Sequence, residues 1–267
     1  MAIMRVDEAL VANGLADCID EARLLIMEGK VFLGAGMVTK PSDKAKPHLQ
    51  LTVKGQRRRF VSRGGMKLEK ALDVFKISVA DRICVDIGAS TGGFTDVMLK
   101  SGAKTVYAVD VGFGLLDWSI RNDPRVVVME RTNARNLNGG MFDIAPSFGA
   151  TDVSFISLKA VLPRAFDILE GEREFVALVK PQFEARKEQV SAGGIVRSRE
   201  VHIEVLRDII NYIYGRNWTV AGIDFSPITG TNGNIEFLLH ILPHAEPIAH
   251  AAIEECVCKA WLEHMAQ

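Results

Sequence analysis

From residue 82 onward the chain repeats one alternation. A short apolar run is followed by a longer segment whose apolar residues recur every three or four positions. Arg82 to Asp86, Thr105 to Asp110, Val126 to Met129, Ala150 to Val153 and Phe175 to Lys180 read as strands; their short, nearly continuous apolar runs are the pattern of strands buried on both faces. Gly93 to Ser101, Gly114 to Arg121, Leu158 to Leu169 and Arg199 to Gly215 carry helical spacing. Strands alternating with helices predict an α/β fold: a parallel, doubly wound, Rossmann-like sheet with helices on both faces. Thr219 to Ser226 and Ile235 to Ile241 are joined only by a link containing Gly230-Thr231-Asn232-Gly233, which predicts an antiparallel hairpin at one edge of the sheet. A last helix, Ile248 to Glu263, would cover it.

The front of the chain has a shorter rhythm. Arg5 to Asn13 and Ile19 to Glu28 space their apolar residues as helices; Val31 to Leu33 reads as a strand, Gly34 to Gly36 as a turn, and Leu49 to Val53 as a second strand. The pattern predicts a small α+β module over residues 1–54, a basic linker over 55–66 and a larger domain over 67–267.

Charge sharpens that division. Residues 1–70 hold 13 of the 32 Lys and Arg but only 8 of the 33 Asp and Glu, so the front is basic and the rest acidic although the net charge is −1. A basic module on an acidic body suits a protein in which one part finds a polyanion and the other handles a small molecule. The densest positive run is Lys54, Arg57, Arg58, Arg59 and Arg63. Cys18, Cys84, Cys256 and Cys258 have neither zinc-site nor CxxC spacing, so they are expected to be free thiols in a reducing compartment, with no metal bound. No apolar run of about 18 residues and no leader pattern is visible, and the expectation is a cytoplasmic protein with no membrane partner.

In an open parallel sheet ligands bind at the carboxyl ends of the strands, so the chemistry is sought there. The first strand runs into Asp86, Gly88, Ala89, Ser90, Thr91, Gly92, Gly93 and Phe94. Glycines let this turn approach a ligand closely, but the spacing is not the dinucleotide GxGxxG, and the aspartate two residues before the first glycine would repel a pyrophosphate. A cationic ligand with an amino-acid head would be favoured, and S-adenosyl-L-methionine carries both a sulfonium and an ammonium. Asp110 closes the second strand where an acid can accept hydrogen bonds from ribose hydroxyls, and Asn133-Ala134 follow the third where they can touch an adenine edge. Asp152 and Lys180 end the fourth and fifth strands, and Glu236 stands in the hairpin beside Asn234. A lysine closing the apolar run Phe175 to Val179 needs a carboxylate partner, and Asp152 and Glu236 are the candidates.

These segments resemble the TlyA family of ribosomal RNA 2′-O-methyltransferases, whose members are often labelled haemolysins and whose catalytic domain is similar to FtsJ. The resemblance rests on Asp86 to Thr95, Thr151 to Leu158, Leu178 to Glu184 and Gly233 to Phe237, and on the junction Arg59 to Leu68. At the front, Arg5-Val6-Asp7, Ala22-Arg23, Gly29-Lys30-Val31 and Lys40-Pro41-Ser42 resemble an RNA-binding module shared with a ribosomal small-subunit protein. The resemblance implies a Lys-Asp-Lys-Glu catalytic tetrad at Lys67, Asp152, Lys180 and Glu236, of which Lys67 is reached by no other argument. It also implies methylation of a cytidine ribose in ribosomal RNA or a ribosomal subunit, with Arg5, Arg23, Lys30 and the linker arginines as RNA contacts. Lys180 can serve as the base for the hydroxyl proton or, as a cation, stabilise developing negative charge. Three rival readings remain at this point: an RNA-binding protein with a non-catalytic Rossmann-like domain, an NAD-dependent oxidoreductase and a membrane-lytic protein.

Overall fold

Val6, Ala9 and Leu10 recur at helical spacing and face Ala22, Leu25 and Ile26, and with Val31, Val38 and Leu51 they make one small core. The computed structural model that shows this describes residues 4–13, 15–16, 18–45, 51–54 and 59–265. The chain divides into two units, Met1–Arg59 and Phe60–Gln267. The elements of the first are β1 (Met4–Arg5), α1 (Val6–Ala12), α2 (Ile19–Met27), β2 (Val31–Leu33), β3 (Gly36–Met37), β4 (Lys44–Ala45) and β5 (Leu51–Val53). β2 pairs antiparallel with both β3 and β5, and β1 pairs antiparallel with β4. Two-residue strands such as β1 and β4 are too short to leave a periodic signal, and the sequence pattern missed them. Leu49 and Gln50, the expected start of the last strand, lie outside the described residues.

The second unit begins with buried Phe60, inside the stretch expected to be linker, and continues with α3 (Gly65–Val74), β6 (Ile83–Ile87), α4 (Gly93–Lys100), β7 (Thr105–Val109), α5 (Trp118–Arg121), β8 (Val126–Met129), β9 (Phe148–Thr151) and α6 (Leu158–Asp167). β10 (Glu174–Val179), α7 (Pro181–Glu184), α8 (Arg199–Tyr214), β11 (Thr219–Phe225), β12 (Phe237–Leu242) and α9 (His250–Met265) complete it. Seven strands form one sheet in the order β11-β12-β10-β9-β6-β7-β8. The five strands from β6 to β10 are parallel, and β12 enters antiparallel between β10 and the edge strand β11. The fold is therefore the expected Rossmann-like α/β sheet with an antiparallel hairpin at one edge.

Two cores lie on the two faces of this sheet. Val85, Ile87, Tyr107, Val109, Phe175 and Ala177 belong to one; their chain neighbours Cys84, Val106, Ala108, Val176 and Leu178 belong to the other. That alternation is why the strands read as continuous apolar runs. Two boundaries moved. The helix expected over Gly114 to Arg121 begins only at Trp118, where Asp117 accepts a hydrogen bond from Ser119 N, and the preceding residues form a loop instead. The fourth strand spans Phe148–Thr151, so Asp152 stands just beyond its end.

Candidate active site

The carboxyl ends of β6, β9 and β10 lie side by side, which brings the segments that follow them to one rim. β12 runs the other way, so its beginning joins that rim: Val179 at the end of β10 is paired with Phe237. Four charged side chains converge here. Lys180 Nζ lies 2.6 Å from Asp152 Oδ1. Lys67, in the first turn of α3, lies 3.5 Å from Asp152 Oδ2 and 2.6 Å from Glu236 Oε2. Lys67, Lys180 and Glu236 are buried. Burial alone would lower the pKa of Lys67, but the Asp152 and Glu236 carboxylates outweigh it and hold it above the ordinary value, so Lys67 is a fixed cation. Burial raises the pKa of Glu236 even against the Lys67 ammonium.

Next to this quartet the Gly-rich turn closes tightly on β9. Gly88 has φ +89°, and a Cβ there would meet the Asp152 carbonyl oxygen at 2.8 Å. A cavity of about 320 Å³ opens between this turn and the quartet, lined by Asp86, Gly88, Ala89, Ser90, Thr91, Gly93 and Phe94 on one side and by Lys67, Asp152, Lys180 and Glu236 on the other. A second cavity of about 450 Å³ shares Gly88, Ser90, Asp152 and Ser154 with the first and extends over Asp110, Asn133 and Ala134.

Asp86 is fully buried. Its Oδ2 accepts hydrogen bonds from Thr95 N (2.9 Å) and Thr95 Oγ1 (2.7 Å), while Oδ1 has no partner among the described residues. Burial pushes its pKa up to about 7 in spite of those bonds, with the Asp152 and Asp110 carboxylates adding to the rise. An orphaned carboxylate oxygen on a residue that lines a cavity is suited to an ammonium head group. Asp110 is held rigid, accepting from Ser90 N and Gly112 N at 2.7 Å each, and keeps lone pairs for hydroxyl donors. Asn133 caps a short 3₁₀ turn, its side chain accepting from Arg135 N. The two joined cavities, with the orphaned Asp86 oxygen in one and Asp110 in the other, suit a ligand with a cationic amino-acid end and a nucleoside end. S-adenosylmethionine has that form, and the residues present fit it.

Other expected residues fall elsewhere. Gly92 lines neither cavity; its α-carbon faces Leu116 and Ile120, and it serves to turn the chain into α4. Arg5 and Arg23 lie 2.8 and 3.2 Å from the buried carboxylate of Asp7, whose pKa the Arg5 hydrogen bond leads in lowering to about 2, so both have a structural partner. Lys30 pairs with Glu28 at 2.6 Å. Arg63 lines the first cavity, Arg59 is exposed, and Arg57 and Arg58 lie outside the described residues. Sequence reasoning passed over Ser62, Ser154, Thr229 and Gly230, all of which line the first cavity. Isolated small polar residues and glycines carry no pattern that could have marked them.

A Rossmann-like sheet with a two-chambered cleft at the carboxyl ends of its strands, walled by Asp86 and the charged quartet, is the form of a methyltransferase. The model of the FtsJ-like methyltransferase family matches residues 60–241. YqxC of Bacillus subtilis is 50% identical over 238 residues, covering 89% of this chain and 85% of its own. The 16S/23S rRNA (cytidine-2′-O)-methyltransferase TlyA of Mycobacterium tuberculosis is 42% identical over 262 residues, 96% of each chain. A solved structure from Streptococcus thermophilus that bears the hemolysin name is 45% identical, with a TM-score of 0.77 over 100% of this chain and 98% of that one. The chain belongs to the FtsJ-like methyltransferase family, on the branch that includes TlyA. Its methyl donor is S-adenosylmethionine.

Proposed function

We propose that the protein methylates the 2′-hydroxyl of a ribose in ribosomal RNA, that the modified nucleoside is a cytidine, and that the basic first unit is its RNA-binding module. It acts in the cytoplasm, on ribosomal RNA or a ribosomal subunit. The relative named for 2′-O-methylation of cytidine in 16S and 23S rRNA aligns over both units, which supports carrying that substrate over. The observation that carries the proposal is the chain of contacts Lys180, Asp152, Lys67, Glu236 along the wall of the donor cavity.

Bound S-adenosylmethionine supplies an electrophilic methyl group. Asp86 and the Gly-rich turn would hold its amino-acid end, and Asp110 its ribose. A ribose hydroxyl must lose its proton as it attacks, and the group that takes it must sit at the cleft wall beside the donor. Lys67 cannot do this, because two carboxylates hold it as an ammonium. Its work is to hold Asp152 and Glu236 in place. Lys180, within ion-pair distance of Asp152 alone among the described carboxylates, is the proton acceptor in its neutral form, and Asp152 steadies the ammonium that results. Much of the acceleration comes from holding the hydroxyl in line with the methyl group.

Lys180→Ala should lower single-turnover methyl transfer by about 10²- to 10⁴-fold while S-adenosylmethionine affinity changes only a few-fold. Loss of donor binding with unchanged chemistry in the bound enzyme would overturn the assigned role. Mapping of 2′-O-methyl sites on rRNA from cells with and without the protein tests the substrate.

A further inference from the structure

We infer that Ser154 is a positioning residue for methyl transfer, which aims the Lys180 amine at the acceptor hydroxyl; the inference rests on the role of Lys180 proposed above. Lys180 Nζ has two close neighbours. Asp152 Oδ1 is at 2.6 Å but lies in hydrogen-bond alignment with no donor among the described residues. Ser154 Oγ accepts an aligned hydrogen bond from Nζ at 2.8 Å. Charge attraction is non-directional, whereas a hydrogen bond fixes an angle. Asp152 therefore supplies charge and Ser154 supplies direction.

Direction matters because a neutral amine has a single lone pair. With one N–H donated to Ser154, the lone pair is confined to the two tetrahedral positions that remain on the nitrogen. Ser154 also stands at the junction of the site, lining both the cavity beside the quartet and the cavity over Asp110. A nucleoside entering there passes the serine. The backbone is shaped around it: Phe155, the next residue, has φ +64°, a left-handed conformation that an aromatic residue adopts only where the surroundings enforce it. Phe155 is itself 90% exposed, its ring 5.0 Å from that of Phe183, and it lines the cavity over Asp110 beside Ser154.

The test compares wild type, Ser154→Ala, Ser154→Thr and Lys180→Ala on the same rRNA, with single-turnover rate and S-adenosylmethionine affinity measured separately. Ser154→Ala should lose about 10- to 100-fold in rate, the worth of one hydrogen bond to a charged or reacting group, with donor affinity within about threefold. Ser154→Thr keeps the hydroxyl and should recover most of the rate, which a merely space-filling role would not produce. A normal rate in Ser154→Ala beside an inactive Lys180→Ala overturns this inference alone. So does loss of donor binding in Ser154→Ala, or failure of threonine to rescue. A wild-type rate that Lys180→Ala leaves unchanged overturns the reading of Lys180 and this inference with it.

Discussion

Asp86 shows how a single side chain can favour function over stability. Its carboxyl is buried with one oxygen unpartnered among the described residues, and its pKa stands at about 7 against about 3.9 for an aspartate in an unfolded chain. The folded protein therefore holds a proton here that the unfolded chain has released. This contribution to stability is full below about pH 4 and is lost as pH rises through about 7. Without donor at about pH 8 the charged carboxylate is a liability, so Asp86→Asn should raise the melting temperature of the unliganded enzyme at that pH. The same change should weaken S-adenosylmethionine binding by about tenfold or more, since the neutral amide cannot offer the ammonium a charge-assisted hydrogen bond. In the native enzyme, donor affinity should fall as pH drops below about 7, because the proton must leave Asp86 first; calorimetric titration across that range reads it directly. Much at this scale was legible beforehand. Asp86, Asp110, Asp152, Lys180 and Glu236 all announce themselves as charged residues at the ends or starts of apolar strands. Lys67 does not, because it sits in a helix whose partner carboxylates are 85 and 169 residues away, and only resemblance pointed to it.

The loops between strands carry the rest of the geometry. Ile228, Thr229 and Gly230 follow β11 and pass along the active-site wall, and Gly230 N donates to Asn234 O at 2.8 Å. A Cβ at Gly230 would stand 2.1 Å from Glu236 Oε1. Gly230→Ala should therefore push Glu236 off Lys67 and lower the methyl-transfer rate by about tenfold or more. Circular dichroism should show the sheet intact; a variant with full activity would mean that the Glu236 carboxylate is free to move. The central strands β6, β7, β9 and β10 were easy to find in the sequence because each buries both faces. Residues 114–117 were expected to open a helix that begins only at Trp118; Leu116 and Ile120, four apart, have helical spacing. Both are buried in the same core, so the spacing marks a real buried face that the chain enters by a loop, whose Leu115 is exposed and lines the donor cleft.

Over the molecule as a whole, the charge divides with the units: basic in the first, acidic in the second. Affinity for rRNA should fall steeply with salt, and neutralising Arg57, Arg58 and Arg59 together should flatten that dependence by roughly 0.7 to 0.9 in log–log slope for each phosphate they would otherwise neutralise. Arg5 and Arg23 should matter less to the slope than their number suggests, because Asp7 already balances part of their charge. An unchanged slope in the triple variant would remove the linker arginines from the RNA-binding surface. The antiparallel strand β12 has one more consequence. Glu236, the residue just before it, joins the quartet from the antiparallel part of the sheet, while the other strand-end members follow parallel strands. Without that hairpin Lys67 would keep only the more distant of its two counter-charges, Asp152 at 3.5 Å, and lose Glu236 at 2.6 Å.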